Sequence, residues 1–297
     1  NMSDNLLLIP GPILLSEKVQ AAHSIQSISH VSPEFVSIFQ KVLHDLRELF
    51  QSNNPDDQGI VVAGSGTLGW DIAAANLMYP GESVLVVSTG FFCDLFVEAL
   101  GFYGVDVDVV EARPGYLVDV EVLEGMLAKK KYAAITLTHV DTSTAVVVDL
   151  ARMTQLVKRV SPDTLVIVDG VCSVGVEELR FSEWGIDFVL SASQKALPVQ
   201  TINSLKASLE EILELGMAGR TAKHREVSAA FKEKVEKELG LKGIPASKET
   251  AASGLTTIVL PEGVSAPEVV SRVYEKGVVV SGGLHKDLKE RYVRVGH

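Results

Sequence analysis

The 297-residue sequence has few cysteines, few aromatic residues and no surplus of positive charge. Cys93 and Cys172 are its only cysteines, too few for a disulfide framework or a structural zinc site. Lys and Arg number 27 against 38 Asp and Glu, whereas nucleic-acid-binding proteins need the opposite balance to neutralise phosphates. No apolar run has the length of a transmembrane helix. We therefore expect neither a nucleic-acid partner nor a membrane partner.

The start of the sequence has no basic segment followed by an apolar stretch, so we expect no secretory signal. Two free thiols in a chain of this length are typical of a reducing compartment. We therefore predict the cytoplasm or an organelle matrix, with the peroxisome and the mitochondrion both possible. No set of histidines and carboxylates has metal-ligand spacing, so no metal site is expected.

Hydrophobic residues make up 46% of the sequence, which is ordinary for a globular protein, and they are grouped in short β-branched runs. These runs alternate with amphipathic helical patterns, which predicts an α/β fold whose sheet is covered by helices on both faces. Residues 203–240 have the pattern of one long amphipathic helix. The predicted strands are residues 59–63, 84–87, 105–110, 133–140, 164–169, 187–191, 256–261 and 277–283.

Gly64, Gly66 and Gly69 form a GxGxxG pattern that follows an apolar run and opens a predicted helix. Dinucleotide sites use this spacing, because backbone N–H groups at the helix start then face a pyrophosphate. Such sites also need an acidic residue at the end of the next strand, which here ends in Ser88. We favour a phosphate site for another cofactor, with Gly66 and Thr67 starting the helix. NAD binding and a turn without a ligand remain alternatives.

A carboxylate and an amine follow two predicted strands. Asp169 closes the run 164–169, and Lys195 comes shortly after the run 187–191. The carboxyl ends of parallel strands share one edge, so both residues are expected at the same ligand-binding edge. Pyridoxal 5′-phosphate (PLP) requires such a pair, a lysine for a Schiff base and an acid for its pyridinium nitrogen. Alone, each residue is better interpreted as a cap or a solvated loop residue.

The sequence resembles the class V aminotransferases, and within them the fungal alanine–glyoxylate or serine–pyruvate aminotransferases. The resemblance runs from about residue 6 to the end. Its motifs are LLLIPGP (6–12), AGSGTLGWD (63–71), THVDTSTA (138–145), LVIVDGVCSVG (165–175) and SASQKAL (191–197). It implies a homodimeric enzyme that transfers the amino group of L-alanine or L-serine to glyoxylate, giving glycine.

The resemblance also implies the architecture of PLP-dependent transferase fold type I. This fold has a large domain with a mixed, mostly parallel, seven-stranded sheet and a smaller C-terminal α/β domain. We expect an N-terminal arm at residues 1–20, the large PLP-binding domain at 21–214 and the small domain at 215–297. The arm is expected either to extend over the neighbouring subunit or to form a plain N-terminal strand.

By the same resemblance, Lys195 is the Schiff-base lysine, Asp169 the pyridinium partner and Arg294 the arginine that holds the substrate carboxylate. Phe92 stands where many relatives stack a Trp on the cofactor ring. The other expected cofactor contacts are a phosphate group of residues, a hydroxyl near the phenolic oxygen and an apolar residue on the ring: Ser65, Gly66, Thr67 and Gln194; Thr142; and Val171.

The sequence departs from the family between Leu197 and Pro198, where relatives have several dozen further residues. These include a Tyr and a Thr that reach the cofactor phosphate of the neighbouring subunit. Relatives also continue beyond His297 through a C-terminal helix. We therefore expect that the printed sequence omits part of the natural chain. Three alternatives stay open: a lyase or desulfurase of the same fold, an NAD-dependent oxidoreductase, and a binding protein without catalysis.

Overall fold

The computed structural model describes residues 5–195 and 201–297. The strands are β1 (Leu6–Leu7), β2 (Ser83–Ser88), β3 (Asp106–Glu111), β4 (Ala134–Thr138), β5 (Val140–Asp141), β6 (Val146–Val147), β7 (Leu165–Asp169), β8 (Phe188–Leu190), β9 (Leu255–Val259), β10 (Val278–Val279), β11 (Ser281–Gly282) and β12 (Tyr292–Gly296). The helices are α1 (Glu17–His23), α2 (Pro33–Leu49), α3 (Gly66–Leu77), α4 (Phe91–Phe102), α5 (Val120–Lys129), α6 (Leu150–Val160), α7 (Phe181–Trp184), α8 (Ile202–Glu214), α9 (Gly216–Leu239) and α10 (Ala266–Glu275).

The central sheet contains five parallel strands in the order β3-β2-β4-β7-β8. The predicted α/β fold with a mostly parallel sheet is therefore confirmed. The expected count of seven strands is corrected to five within residues 5–195 and 201–297. Residues 59–63 are not a strand, and Ile60 and Val62 are 71% and 54% exposed. A β-branched run forms a strand only where it can pair with a neighbouring strand and bury one of its faces.

Alternating side chains along the central strands supply two separate cores, one on each face of the sheet. Leu85 and Val87 of β2 pack into the cluster that includes residues of α2, α5, α6 and α8. Val84 and Val86, which alternate with them along the same strand, pack into the cluster that includes residues of α3 and α4. Both faces are covered by helices, which is why the strands are almost continuously apolar.

A second, antiparallel sheet of three strands has the order β11-β12-β9. Its apolar side chains, among them Ile258 and Val293, pack with residues of α9 and α10 in a cluster of their own. This arrangement agrees with the predicted C-terminal α/β unit, and the predicted boundaries at residues 20 and 214 stay predictions.

The single helix predicted over residues 203–240 is two helices, α8 and α9. They meet at Leu215 and Gly216, and Gly216 has φ +64°. Glycine adopts this left-handed conformation readily, whereas a continuous helix does not contain it.

The N-terminal segment lies on its own chain. β1 runs parallel to β10, with Leu6 opposite Val278 and Leu7 opposite Val279. The segment thus contains a short N-terminal strand, and its extension over a neighbouring subunit stays a prediction. Among the described residues, no helix has the length and apolar character needed to span a membrane.

Candidate active site

Three segments meet at the carboxyl edge of the central sheet. Asp169 is the last residue of β7, and Lys195 lies in the turn that follows the neighbouring strand β8. The start of α3 packs closely against the residues that follow both of these strands. A Cβ atom placed on Gly66 would lie 3.1 Å from Cγ2 of Val171 and 3.4 Å from Cβ of Ala192. Glycine at position 66 therefore lets the helix start approach the residues that follow both strands.

Asp169 is a buried carboxylate with two hydrogen-bond donors. Its Oδ2 accepts from Nε1 of Trp70 at 2.9 Å, and its Oδ1 accepts from the backbone N–H of Val171 at 2.9 Å. Burial raises the pKa of Asp169 to about 6, although both hydrogen bonds favour the charged form. Lys195 also lowers that pKa through its charge. Asp169 thus has a charge that a cationic partner would stabilise.

Lys195 lies against the N-terminal segment. Its Nζ donates to the backbone oxygen of Pro10 at 2.8 Å. Gly11, with φ +132°, lies so close that a Cβ there would be 2.6 Å from Cδ of Lys195. The lysine also lines a cavity of about 70 Å³, together with Thr142 and Cys172. The amine is therefore held beside a small cavity and against the N-terminal segment.

Thr142 and the start of α3 offer unused hydrogen-bonding groups near this cavity. Thr142 is buried, and its hydroxyl makes no hydrogen bond of normal geometry in the described part of the chain. It lies beside the weakly polar Cys172 thiol. Ser65 stands at the N-cap of α3 without a side-chain capping bond, because its hydroxyl pairs with that of Thr67 at 2.7 Å. An uncapped helix start favours an anion such as a phosphate.

Phe92 lies in the first turn of α4, and its backbone N–H donates to Oδ2 of Asp141 at 2.9 Å. Asp141 ends the two-residue strand β5 and is fully buried; residues 140–145, which contain it, form the loop after β4. Sequence analysis did not single it out. Trp70, the indole partner of Asp169, was likewise missed. The available signal was their position: Trp70 comes directly after the last glycine of GxGxxG, and Asp141 comes just after a predicted strand.

Two predicted site residues are not joined to this group by a direct contact. Gln194 is exposed in the turn before Lys195. Arg294 lies on β12, where its Nε donates to the backbone oxygen of Gly282 at 2.7 Å. Burial lowers the pKa of Arg294, while the charge of Asp141 acts against that shift. Its guanidinium is therefore in electrostatic range of the loop after β4.

His139 precedes this loop and is buried in the site region. Its backbone N–H donates to the backbone oxygen of Asp169 at 3.0 Å. Its ring Nδ1 has no hydrogen-bond partner in the described part of the chain, and burial lowers the pKa of the ring to about 3. His139 is therefore neutral near pH 7 and contributes no positive charge to the edge of the sheet.

The residues present fit the donor set that PLP requires. A cation would stabilise the buried carboxylate of Asp169, and the Lys195 amine is close enough for its charge to lower the pKa of that carboxylate. The Thr142 hydroxyl has no normal hydrogen bond, and the first turn of α3 is uncapped. These are the chemical complements of a pyridinium, an aldehyde, a phenolic oxygen and a phosphate. The alternative, a dinucleotide site, lacks the acidic residue that it would need at the end of β2, because this strand ends at Ser88.

Comparisons with known proteins agree with this assignment. The profile of the family described as "Aminotransferase class-V" matches residues 14–199. Alanine–glyoxylate aminotransferase 1 of Saccharomyces cerevisiae is 40% identical over 357 aligned residues, covering 99% of this chain and 92% of the yeast protein. An L-aspartate–glyoxylate aminotransferase of Paracoccus denitrificans is 26% identical, covering 99% of this chain and 86% of that protein.

Among solved structures, an alanine–glyoxylate aminotransferase from Nostoc sp. superposes with a TM-score of 0.92 at 27% identity. The match covers 100% of this chain and 90% of the Nostoc chain. The alignment with the yeast protein is longer than the 297 residues of this chain, so the yeast protein has positions that this chain lacks. The predicted gap between Leu197 and Pro198 lies outside the described residues.

Proposed function

Because the chain belongs to the class-V aminotransferases, which are PLP-dependent, we propose that it transfers the amino group of L-alanine to glyoxylate, giving pyruvate and glycine. The observation that carries the proposal is the meeting of buried Asp169, Lys195 and the uncapped start of α3 at one sheet edge. The identity to the yeast enzyme supports this donor and acceptor. L-Serine is the second donor to test.

In this proposal, Lys195 holds PLP and carries the proton that leaves the α-carbon of the amino acid. When bound, PLP supplies an electron sink for the negative charge that develops at that carbon. Lys195 Nζ, released from PLP by the incoming amino acid, would accept that proton as general base and deliver it as general acid to the cofactor carbon that the lysine had held. Asp169 holds the proton on the pyridinium nitrogen. A cation beside Asp169 favours its ionised form, against the burial that raises its pKa to about 6.

The other predicted contacts divide into phosphate, ring and substrate groups. The N–H groups at the start of α3, which have no side-chain cap within the described residues, suit a phosphate, and the Thr142 hydroxyl suits the phenolic oxygen. Arg294 is proposed for the substrate carboxylate, because a guanidinium binds a carboxylate through two parallel hydrogen bonds. The proposed phosphate contacts are Ser65, Gly66, Thr67 and Gln194, and the proposed ring contacts are Phe92 and Val171.

We further propose a homodimer, a role in forming glycine, and a reducing compartment such as the cytoplasm, peroxisome or mitochondrial matrix. The dimer rests on the family resemblance. The compartment is supported by the two free cysteines, Cys93 and Cys172. A desulfurase activity is not supported, because that chemistry needs a reactive thiolate, and burial raises the pKa of both thiols to about 12.

The test compares wild-type protein with Lys195→Ala and with Lys223→Ala, a matched change at an exposed lysine of α9 that pairs with Glu226. Each protein is incubated with PLP, and its visible absorbance is recorded after desalting. Turnover is then measured with glyoxylate and L-alanine, L-serine or L-aspartate. We expect Lys195→Ala to lose both signals and Lys223→Ala to keep them. Turnover by Lys195→Ala with added PLP would contradict the proposal.

A further inference from the structure

Asp141 closes a hydrogen-bond network between the loop after β4 and the start of α4. Its Oδ2 accepts from the backbone N–H groups of Phe92 at 2.9 Å and Cys93 at 3.3 Å. Its Oδ1 accepts from the backbone N–H of Ser143 at 2.8 Å and from its hydroxyl at 2.6 Å. The carboxylate is fully buried, so these donors replace the water it has lost.

This network satisfies the N–H groups of the first three residues of α4, Phe91, Phe92 and Cys93. Besides the two that donate to Asp141, the N–H of Phe91 donates to the Ser143 hydroxyl at 2.9 Å. The N–H of Asp94 donates to the backbone oxygen of Gly90 at 3.3 Å. Most helices take their cap from the preceding residue, but here it comes from the loop after β4. A buried negative charge at this end also complements the helix dipole.

Gly90 makes this long-range cap possible. A Cβ atom at that position would lie 2.7 Å from Cγ of Asp141 and closer still to the Ser143 hydroxyl. A side chain would therefore push the loop off the helix start. The loop is also held from its far side, because the hydroxyl of Tyr292 on β12 donates to the backbone oxygen of Ser143 at 2.5 Å.

We propose that Asp141 is a positioning residue for the cofactor ring: it fixes the first turn of α4 and thereby the aromatic face of Phe92. This inference rests on the proposed function, in which Phe92 stacks on PLP. The placement is supported by electrostatics as well, since the charge of Asp141 helps to raise the pKa of Asp169. Asp141 therefore stands near both the ring face and the ring nitrogen that the proposal assigns.

The experiment is a double-mutant cycle on holoenzyme reconstituted with PLP. The variants are Asp141→Asn, Phe92→Leu and the pair together. An asparagine presents an NH₂ group that cannot accept from all the donors around Asp141, and a leucine removes the aromatic face. We expect each single change to raise the PLP dissociation constant about fivefold, since caps and aromatic stacking are worth roughly 1 kcal/mol each. We also expect a weaker visible circular dichroism of the bound cofactor.

If Asp141 acts through Phe92, the double variant binds PLP no more weakly than Phe92→Leu alone. Multiplied losses, or an Asp141→Asn protein that melts earlier but binds PLP as wild type does, would overturn the inference. Asp119→Asn is the matched control, because Asp119 caps α5 through the N–H of Glu121 at 2.9 Å and is exposed. It should leave PLP binding unchanged.

Ser143→Ala provides a milder test should Asp141→Asn not fold. It removes the acceptor for Phe91 but leaves the Asp141 carboxylate in place. The same non-additivity with Phe92→Leu is expected, at a smaller loss of PLP affinity, and additive losses would again overturn the inference. Failure of the proposed function is a separate result: wild-type protein would then show no PLP absorbance that depends on Lys195.

Discussion

Replacing Trp70 by phenylalanine removes one hydrogen bond to Asp169 and leaves a smaller ring in the same core. The indole Nε1 donates to Oδ2 of Asp169 at 2.9 Å, and the indole ring stacks on Phe96 at a centroid distance of 5.2 Å. A phenyl ring can keep much of this stacking but has no N–H. In the PLP-free protein, we therefore expect Trp70→Phe to act mainly on the ionisation of Asp169.

The size of the effect follows from the charge on the acceptor. A hydrogen bond to a charged group is worth about 1.5–3 kcal/mol and one between neutral groups about 1 kcal/mol. Losing the Trp70 donor thus costs the carboxylate about 1 kcal/mol more than it costs the carboxylic acid. Since 1.36 kcal/mol corresponds to a tenfold change in acidity, the pKa of Asp169 should rise from about 6 to about 7.

The direction in which the free energy of unfolding changes with pH follows from the difference between the folded and unfolded pKa of Asp169. The folded pKa of Asp169 lies above the value of about 4 expected in the unfolded chain, so its contribution to stability is complete below pH ~4. That contribution is lost as pH rises to about 6 in wild type and to about 7 in Trp70→Phe. The free energy of unfolding lost by Trp70→Phe should therefore be about 1 kcal/mol larger at pH 8 than at pH 5.

Urea unfolding of PLP-free protein at pH 5, 6, 7 and 8, at one protein concentration, measures this difference. Phe96→Leu is the matched control, because it disturbs the same stacked pair without removing a hydrogen bond to Asp169. Its cost should be independent of pH. A Trp70→Phe cost that is equally flat across pH would refute the role given to the indole N–H.

Two further predictions concern packing and an unpaired hydroxyl near the site. Thr142→Val removes a buried hydroxyl without a normal hydrogen bond, so PLP-free protein should melt no earlier than wild type, while PLP should bind more weakly; equal PLP affinity would contradict this. Gly69→Ala places a Cβ 2.9 Å from Cβ of Leu190 and should lower the free energy of unfolding by about 1–3 kcal/mol in urea titrations. Gly101→Ala, in the open on α4, should not lower it, and equal losses in both variants would contradict the packing argument.

The placement of Asp169 and Lys195 was predictable from the sequence because it depends on a general rule of parallel sheets. β7 and β8 are neighbouring parallel strands, so the residues that follow them share one edge, as predicted. The rule fixes the edge, but the partners there come from elsewhere in the chain. The indole of Trp70 and the backbone oxygen of Pro10 reach this edge from distant segments, and no local pattern indicates either contact.

Local patterns failed where tertiary contacts decide the outcome. The run 59–63 has the composition of a strand, yet Ile60 and Val62 are exposed, and within residues 5–195 and 201–297 no strand pairs with the segment. Asp141 looks like an ordinary polar loop residue in the sequence. Its role as a cap depends on α4, whose second residue, Phe92, lies 49 residues earlier. The roles of the predicted site residues in catalysis remain predictions for the experiments above.

The hydroxyl of Tyr292 has no spare bonding capacity. A phenol has one hydrogen to give and two lone pairs to share. Here the hydrogen goes to the backbone oxygen of Ser143, and the lone pairs receive the backbone N–H groups of Leu284 and His285. Tyr292 lies two residues from Arg294 on the same strand. Its hydroxyl could relay a proton only by breaking one of these hydrogen bonds to the backbone. We therefore assign Tyr292 a structural role: its hydroxyl joins β12 to the backbone at Ser143 and to the backbone at Leu284 and His285.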